Sequence, residues 1–162
     1  MAEETLHNIV THSPEETIAF GQRLAGFLKP PCIVLLEGDL GSGKTMLVKG
    51  IAAGLGAAAQ DEVTSPSFTL VHQYGGGLGG LPGMQSKPGV VHVDLYRIEN
   101  PREIESLGLD EFFSGNSTVL IEWGERLPQP PPGRLVRIRI ETAGEFERRI
   151  VVENVFERAG PA

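Results

Sequence analysis

Residues Gly38 to Thr45 read Gly-Asp-Leu-Gly-Ser-Gly-Lys-Thr, a complete Gly-x-x-x-x-Gly-Lys-Thr phosphate-binding loop. This octapeptide has meaning only between a strand and a helix, so it constrains the elements on both sides. The run Cys32-Ile-Val-Leu-Leu-Glu37 is apolar almost throughout, which predicts a strand buried on both faces, as in a parallel sheet. Met46 to Leu55 reads as the helix that follows, and its N-terminus adds a positive dipole end to an anion site. Glycines at 38, 41 and 43 let backbone N–H groups turn inward around phosphate oxygens. Lys44 is placed to reach the terminal phosphates, and the Thr45 hydroxyl to hold Mg²⁺. The nucleotide-binding candidates are therefore Gly38, Asp39, Leu40, Gly41, Ser42, Gly43, Lys44, Thr45 and Met46, with ATP as substrate and Mg²⁺ as cofactor. In a chain with 21 glycines a chance match is the competing explanation, and the strand and helix on either side argue against it.

A chain of 162 residues is long enough for one domain with a sizeable core. A net charge of −7 argues against an unaided attraction of the whole surface to nucleic acid. The single cysteine, Cys32, excludes an internal disulfide framework and is expected in the strand core as a small hydrophobe. No apolar stretch approaches the roughly 20 residues of a membrane span. The acidic start Met-Ala-Glu-Glu-Thr has no signal-peptide pattern, so the expected location is cytoplasmic, with no membrane partner.

Leu6 to Thr11 is expected as a short strand. Ser13-Pro-Glu-Glu16 is a helix start, with Ser13 as cap, Pro14 at the first position and Glu16 closing a capping box. Lys29-Pro-Pro31 ends that helix. Thr69 to Tyr74, Val90 to Asp94 and Ser117 to Glu122 read as further strands, the last two ending in an acid. Residues 75 to 89 are rich in Gly and Pro and read as a flexible loop or hairpin tip. Asn100-Pro-Arg-Glu103 starts another helix, expected to stop near Gly108. Arg134 to Ile140 alternates charged and aliphatic residues and turns at Ala143-Gly144 into Arg149 to Val152, an antiparallel hairpin at the sheet edge. The expected fold is α/β: a P-loop NTPase-like three-layer sandwich with a parallel core sheet and an antiparallel C-terminal hairpin, in one ATPase domain over 1–162.

In such sheets ligands bind beyond the strand C-termini, and the loop, Asp94 and Glu122 all fall there. One acid is needed to hold or orient Mg²⁺, and one group to position a water, and the residues alone leave open which acid does which job. Thr64-Ser-Pro-Ser-Phe-Thr69 lies between the loop helix and the next strand, where Ser65, Ser67 and Thr69 are placed to sense a γ-phosphate or to form an ordinary turn. Trp123 stacks on a partner or packs in the core. Arg97 pairs with phosphate or an acid. The four histidines have no zinc spacing, and His72 and His92 read as structural strand residues. Alternation puts Arg137 and Arg139 on one face, as a local binding patch or as a solvated stripe that guards an edge.

Glu37 to Thr45, Ser65-Pro-Ser-Phe-Thr69, His92-Val-Asp-Leu-Tyr-Arg97 and Ile121-Glu-Trp-Gly-Glu125 occur in the order found in the TsaE (YjeE) family, which the chain resembles from about residue 13 to about 153. The phosphate loop is shared by many families, whereas the Asp-Leu-Tyr-Arg and Ile-Glu-Trp pieces together are far more specific. The resemblance implies an ATPase of the tRNA threonylcarbamoyladenosine machinery, weak alone, that works with the TsaD and TsaB proteins and meets tRNA indirectly. It implies Thr45 and Glu122 as Mg²⁺ ligands, Asp94 as the catalytic residue that activates or positions water, and Ser65 to Thr69 as a switch. Trp123 is implied to lie near the nucleotide or partner face, and the segment around Ser13 to Thr17 near the adenine. Gly124 departs from the family's usual Pro or Ser, which implies a looser turn. A small-molecule P-loop kinase is the main rival, but it needs an Arg-rich lid, and the loop 75–89 carries only Lys87. A GTPase would need an Asn-Lys-x-Asp segment, which the sequence lacks. A module that uses nucleotide only as a switch overlaps with the family reading.

Overall fold

The computed structural model describes residues 2–39, 41–59, 63, 70–75, 89–113, 115–129, 131 and 133–156. The strand before the phosphate loop, β2 (Cys32–Glu37), is the centre of a seven-stranded mixed sheet. It pairs in parallel with β5 (Thr118–Glu122) on one side and with β6 (Leu135–Thr142) on the other. Beyond β5 lies β4 (Gly89–Asp94), also parallel, and then β3 (Val71–Gly75), antiparallel to it. Beyond β6 lie β7 (Arg148–Phe156) and β1 (Ala2–Thr11), each antiparallel to its neighbour.

The apolar run of β2 is explained by a layer on each face. Val34 and Leu36 point with Leu120 and Val90 into a core closed by α1 (Pro14–Leu24) and α2 (Lys44–Gly54). Ile33 and Leu35 point the other way, with Val91, Val93, Val119 and Ile121, into a core that includes Ile104 of α3 (Pro101–Glu105) and Leu109 of α4 (Leu109–Phe113). Period-2 alternation thus feeds two cores and makes the three-layer α/β sandwich.

Ser13 caps α1 as expected, its Oγ accepting the Glu16 N–H at 3.1 Å. The Glu16 carboxylate accepts from the His12 N–H, one residue outside the cap. Two glycines let α1 and α2 touch through their backbones. A Cβ on Gly50 would stand 2.0 Å from the Ile18 carbonyl oxygen, and one on Gly21 2.6 Å from that of Leu47.

Several details differ from the sequence-based expectation. The helix begun at Asn100 stops at Glu105; Gly108, at φ 68°, turns the chain left-handed, and α4 follows as a separate turn of helix. The C-terminal hairpin is not an edge, because β6 adds in parallel to the core and β1 covers β7. Arg137 and Arg139 do share a face, but they guard no edge. Both meet Glu37, at 3.2 and 3.4 Å, and Arg139 also meets Glu153 at 3.5 Å. Gly75 and Gly89 are register partners, so the stretch between them joins a hairpin; residues 76–88 lie outside the described residues. No described helix is long and apolar enough to cross a membrane.

Candidate functional site

The loop from β2 to α2 curls because two of its glycines adopt left-handed backbone. Gly41 has φ 77°, and Gly43, the cap of α2, has φ 105°. A Cβ at either would meet nothing within 4 Å, so glycine is needed there for conformation, not for space. Gly38 is the opposite case: a Cβ there would stand 2.6 Å from the Ile140 carbonyl oxygen. Alternating backbone of this kind turns successive N–H groups into a concave anion cradle. Lys44 is buried at its base. Its Nζ donates to the Gly38 carbonyl and, at 3.2 Å, to that of Asp39, and lies 4.7 Å from the centre of the Trp123 ring.

The two acids are set by strand register. Asp94 pairs with Glu122, so both side chains project from the same face. That face is the one carrying Val90, Leu120 and Leu36, against α2, which begins with Lys44 and Thr45. Both are nearly inaccessible, at 7% and 4% exposure, and each is held. Asp94 Oδ1 accepts the Tyr96 N–H at 2.9 Å. Glu122 Oε2 lies 2.6 Å from His92 Nε2, and His92 is itself fully buried. His92 Nδ1 has no hydrogen-bond partner. A proton there would be an orphaned buried donor, so the imidazole carries its hydrogen on Nε2 and donates it to Glu122. Carboxylates that ligate a metal are themselves held by outer-shell hydrogen bonds, a part His92 can play for Glu122.

A cavity of about 500 Å³ joins these groups. Gly41 to Met46 form one wall, and Asp94, Glu122 and Trp123 form another; Pro14, Thr17 and Phe146 lie at the same cavity. The donors suit Mg²⁺. The Thr45 hydroxyl and the Asp94 and Glu122 carboxylates at this cavity are hard oxygen donors. Mg²⁺ favours such partial sites, completed by phosphates and water.

Trp123 sits at φ 61°, ψ 41°, uncommon for a bulky residue and a cost repaid by contacts. Its ring lies 5.1 Å from that of Tyr96 and 5.7 Å from the Arg126 guanidinium. The turn after it is tight, not loose. A Cβ on Gly124 would stand 2.6 Å from Leu35 Cδ2, and residues Gly124–Arg126 close a 3-10 turn. Thr17 and Pro14, expected near the base, line the cavity, as does Arg97. Leu40 and the switch candidates Ser65, Ser67 and Thr69 lie outside the described residues.

Two residues at the site escaped the sequence reading. His92 reads from sequence as structural, yet its position two before Asp94 puts both on one strand face. Arg148, in the hairpin beyond Arg137 and Arg139, reaches the phosphate loop, its Nε donating to the Ser42 carbonyl at 2.9 Å. No local pattern signals that reach.

The family model for "Threonylcarbamoyl adenosine biosynthesis protein TsaE" matches residues 11–150. A Bacillus subtilis (strain 168) protein named tRNA threonylcarbamoyladenosine biosynthesis protein TsaE is 41% identical over 148 residues, covering 91% of this chain and 85% of that protein. A Treponema pallidum protein of the same name is 34% identical, covering 88% of this chain and 97% of that protein. The crystal structure of Bacillus subtilis YdiB superposes with a TM-score of 0.68 at 35% identity, covering 98% of this chain and 90% of that one.

Proposed function

The chain belongs to the TsaE family, and from that premise we propose that it is a Mg²⁺-dependent ATPase subunit serving tRNA threonylcarbamoyladenosine formation together with the TsaD and TsaB proteins. The observation that carries this reading is the convergence of Lys44, Thr45, Asp94 and Glu122 on one cavity. We place the protein in the cytoplasm, where its ATP and tRNA-processing partners would be, and tRNA as an indirect partner.

Each group has a role that follows from its chemistry. The loop amides and the α2 N-terminus receive phosphate oxygens. Lys44 supplies the fixed cation, moving from the Gly38 and Asp39 carbonyls to the terminal phosphates. Thr45 and Glu122 would hold Mg²⁺, which would supply positive charge against the phosphates. His92 keeps the Glu122 carboxylate turned to that task. Asp94, whose Oδ1 accepts the Tyr96 N–H, positions the attacking water and accepts its proton. Trp123 forms the wall between Lys44 and the Tyr96–Arg126 surface, the face we assign to nucleotide or partner. Ser65, Ser67 and Thr69 are the switch hydroxyls of the same reading.

The test is ATP hydrolysis with and without the purified TsaD–TsaB pair, with tRNA added in turn. We expect slow turnover alone and a clear rise with the pair. A rate that ignores the pair and jumps with a small-molecule acceptor would make the protein a kinase instead.

A further inference from the structure

Arg148, the first residue of β7, is anchored at both ends of its guanidinium. Nη1 donates to the carbonyls of Glu147 at 2.8 Å and Gly144 at 3.2 Å, within its own hairpin turn. Nε donates to the Ser42 carbonyl at 2.9 Å, and Nη2 reaches toward that of Gly41 at 3.5 Å. The hairpin is thereby clamped to the middle of the phosphate loop by a charged group whose planar fork suits two neighbouring carbonyls.

The consequence follows from peptide geometry. In a trans peptide the C=O and N–H point in opposite directions. Drawing the Ser42 carbonyl toward Arg148 therefore turns the Gly43 N–H away from that guanidinium, at a cavity that Ser42, Gly43 and Arg148 all line. Gly43 has the left-handed backbone that lets this plane rotate without a side-chain clash, so glycine makes the plane free and Arg148 fixes it. The Ser42 amide is held separately, donating to the Asp39 carbonyl at 3.1 Å.

We propose that Arg148 is a positioning residue for nucleotide binding, holding the Ser42–Gly43 peptide so that the Gly43 N–H faces into the phosphate cradle. This rests on the reading of the cavity as an ATP site. It acts on the loop, not on the base, so its loss weakens binding in proportion to the phosphates the cradle holds.

Two readouts on Arg148→Met and Arg148→Lys test this. The first is the affinity of the full chain for ATP, ADP and AMP by calorimetry. ATP and ADP should bind Arg148→Met about tenfold or more weakly, as for a lost charge-assisted hydrogen bond, with AMP nearly unchanged and Arg148→Lys in between. Unchanged ADP affinity, or an equal loss for AMP, overturns the proposal. The second is amide hydrogen exchange of the loop in the protein without added nucleotide. Exchange of the loop should rise in Arg148→Met while the sheet stays protected. A loop that exchanges as in the parent overturns the proposal even if nucleotide binds. A parent that binds no nucleotide, yet whose loop loosens in Arg148→Met, overturns the ATP-site reading and leaves the clamp standing.

Discussion

Asp94 and Glu122 look interchangeable in sequence, each an acid closing an apolar strand, and differ in what holds them. Glu122 receives a hydrogen bond from a buried imidazole, Asp94 from a backbone amide. Residue types and strand ends were legible from alternation and the phosphate-loop motif. The distinction between the acids was not, because it rests on the packing of His92. The same scale governs Cys32, as buried at the start of β2 as its apolar setting implied. Burial pushes its thiol from 9.0 up to about 11, with the Arg134 charge pulling the other way. Below about pH 9 neither state ionises the thiol, and this contribution to stability is complete. Between 9.0 and about 11 the unfolded chain releases a proton that the folded chain keeps, so stability falls as pH rises. Urea unfolding should show the parent losing about 1 kcal/mol per pH unit in that window relative to Cys32→Ala. Parallel pH profiles would contradict the assignment.

At the scale of elements, the capped start of α1 and the loop helix were legible because both carry local signals, a Ser-Pro-Glu-Glu cap and a phosphate loop. Their packing was not, because Gly21 and Gly50 are in contact only after folding. The Gly50 contact sets two effects against each other. Alanine in a helix interior is favoured over glycine by about 1 kcal/mol. A Cβ 2.0 Å from the Ile18 oxygen cannot be accommodated without parting the helices. Overlap should win, so Gly50→Ala should lose about 2 kcal/mol net by urea unfolding. Gly26→Ala, where a Cβ meets nothing within 4 Å, is the control and should stay close to the parent. Equal effects at the two sites would contradict backbone contact as the reason for Gly50. The short α4 went unread because five residues carry too little periodicity to announce a helix.

For the whole molecule, the parallel core was legible and the position of the hairpin was not. Apolar runs identify buried strands without saying which neighbour each takes. β6 lies inside the sheet between β2 and β7, β1 covers β7 from the other end of the chain, and the start of β7 brings Arg148 to the phosphate loop. The same sheet sets Asp94 beside Glu122, one strand farther from β2, and we infer that this offset divides binding from chemistry. ATP affinity and single-turnover hydrolysis, measured on one preparation of Asp94→Ala with saturating Mg²⁺, separate the two roles. We expect affinity within about threefold of the parent and hydrolysis reduced about a hundredfold or more, as for loss of a general base. Binding that collapses together with hydrolysis would contradict the account and make Asp94 a metal ligand or a structural residue.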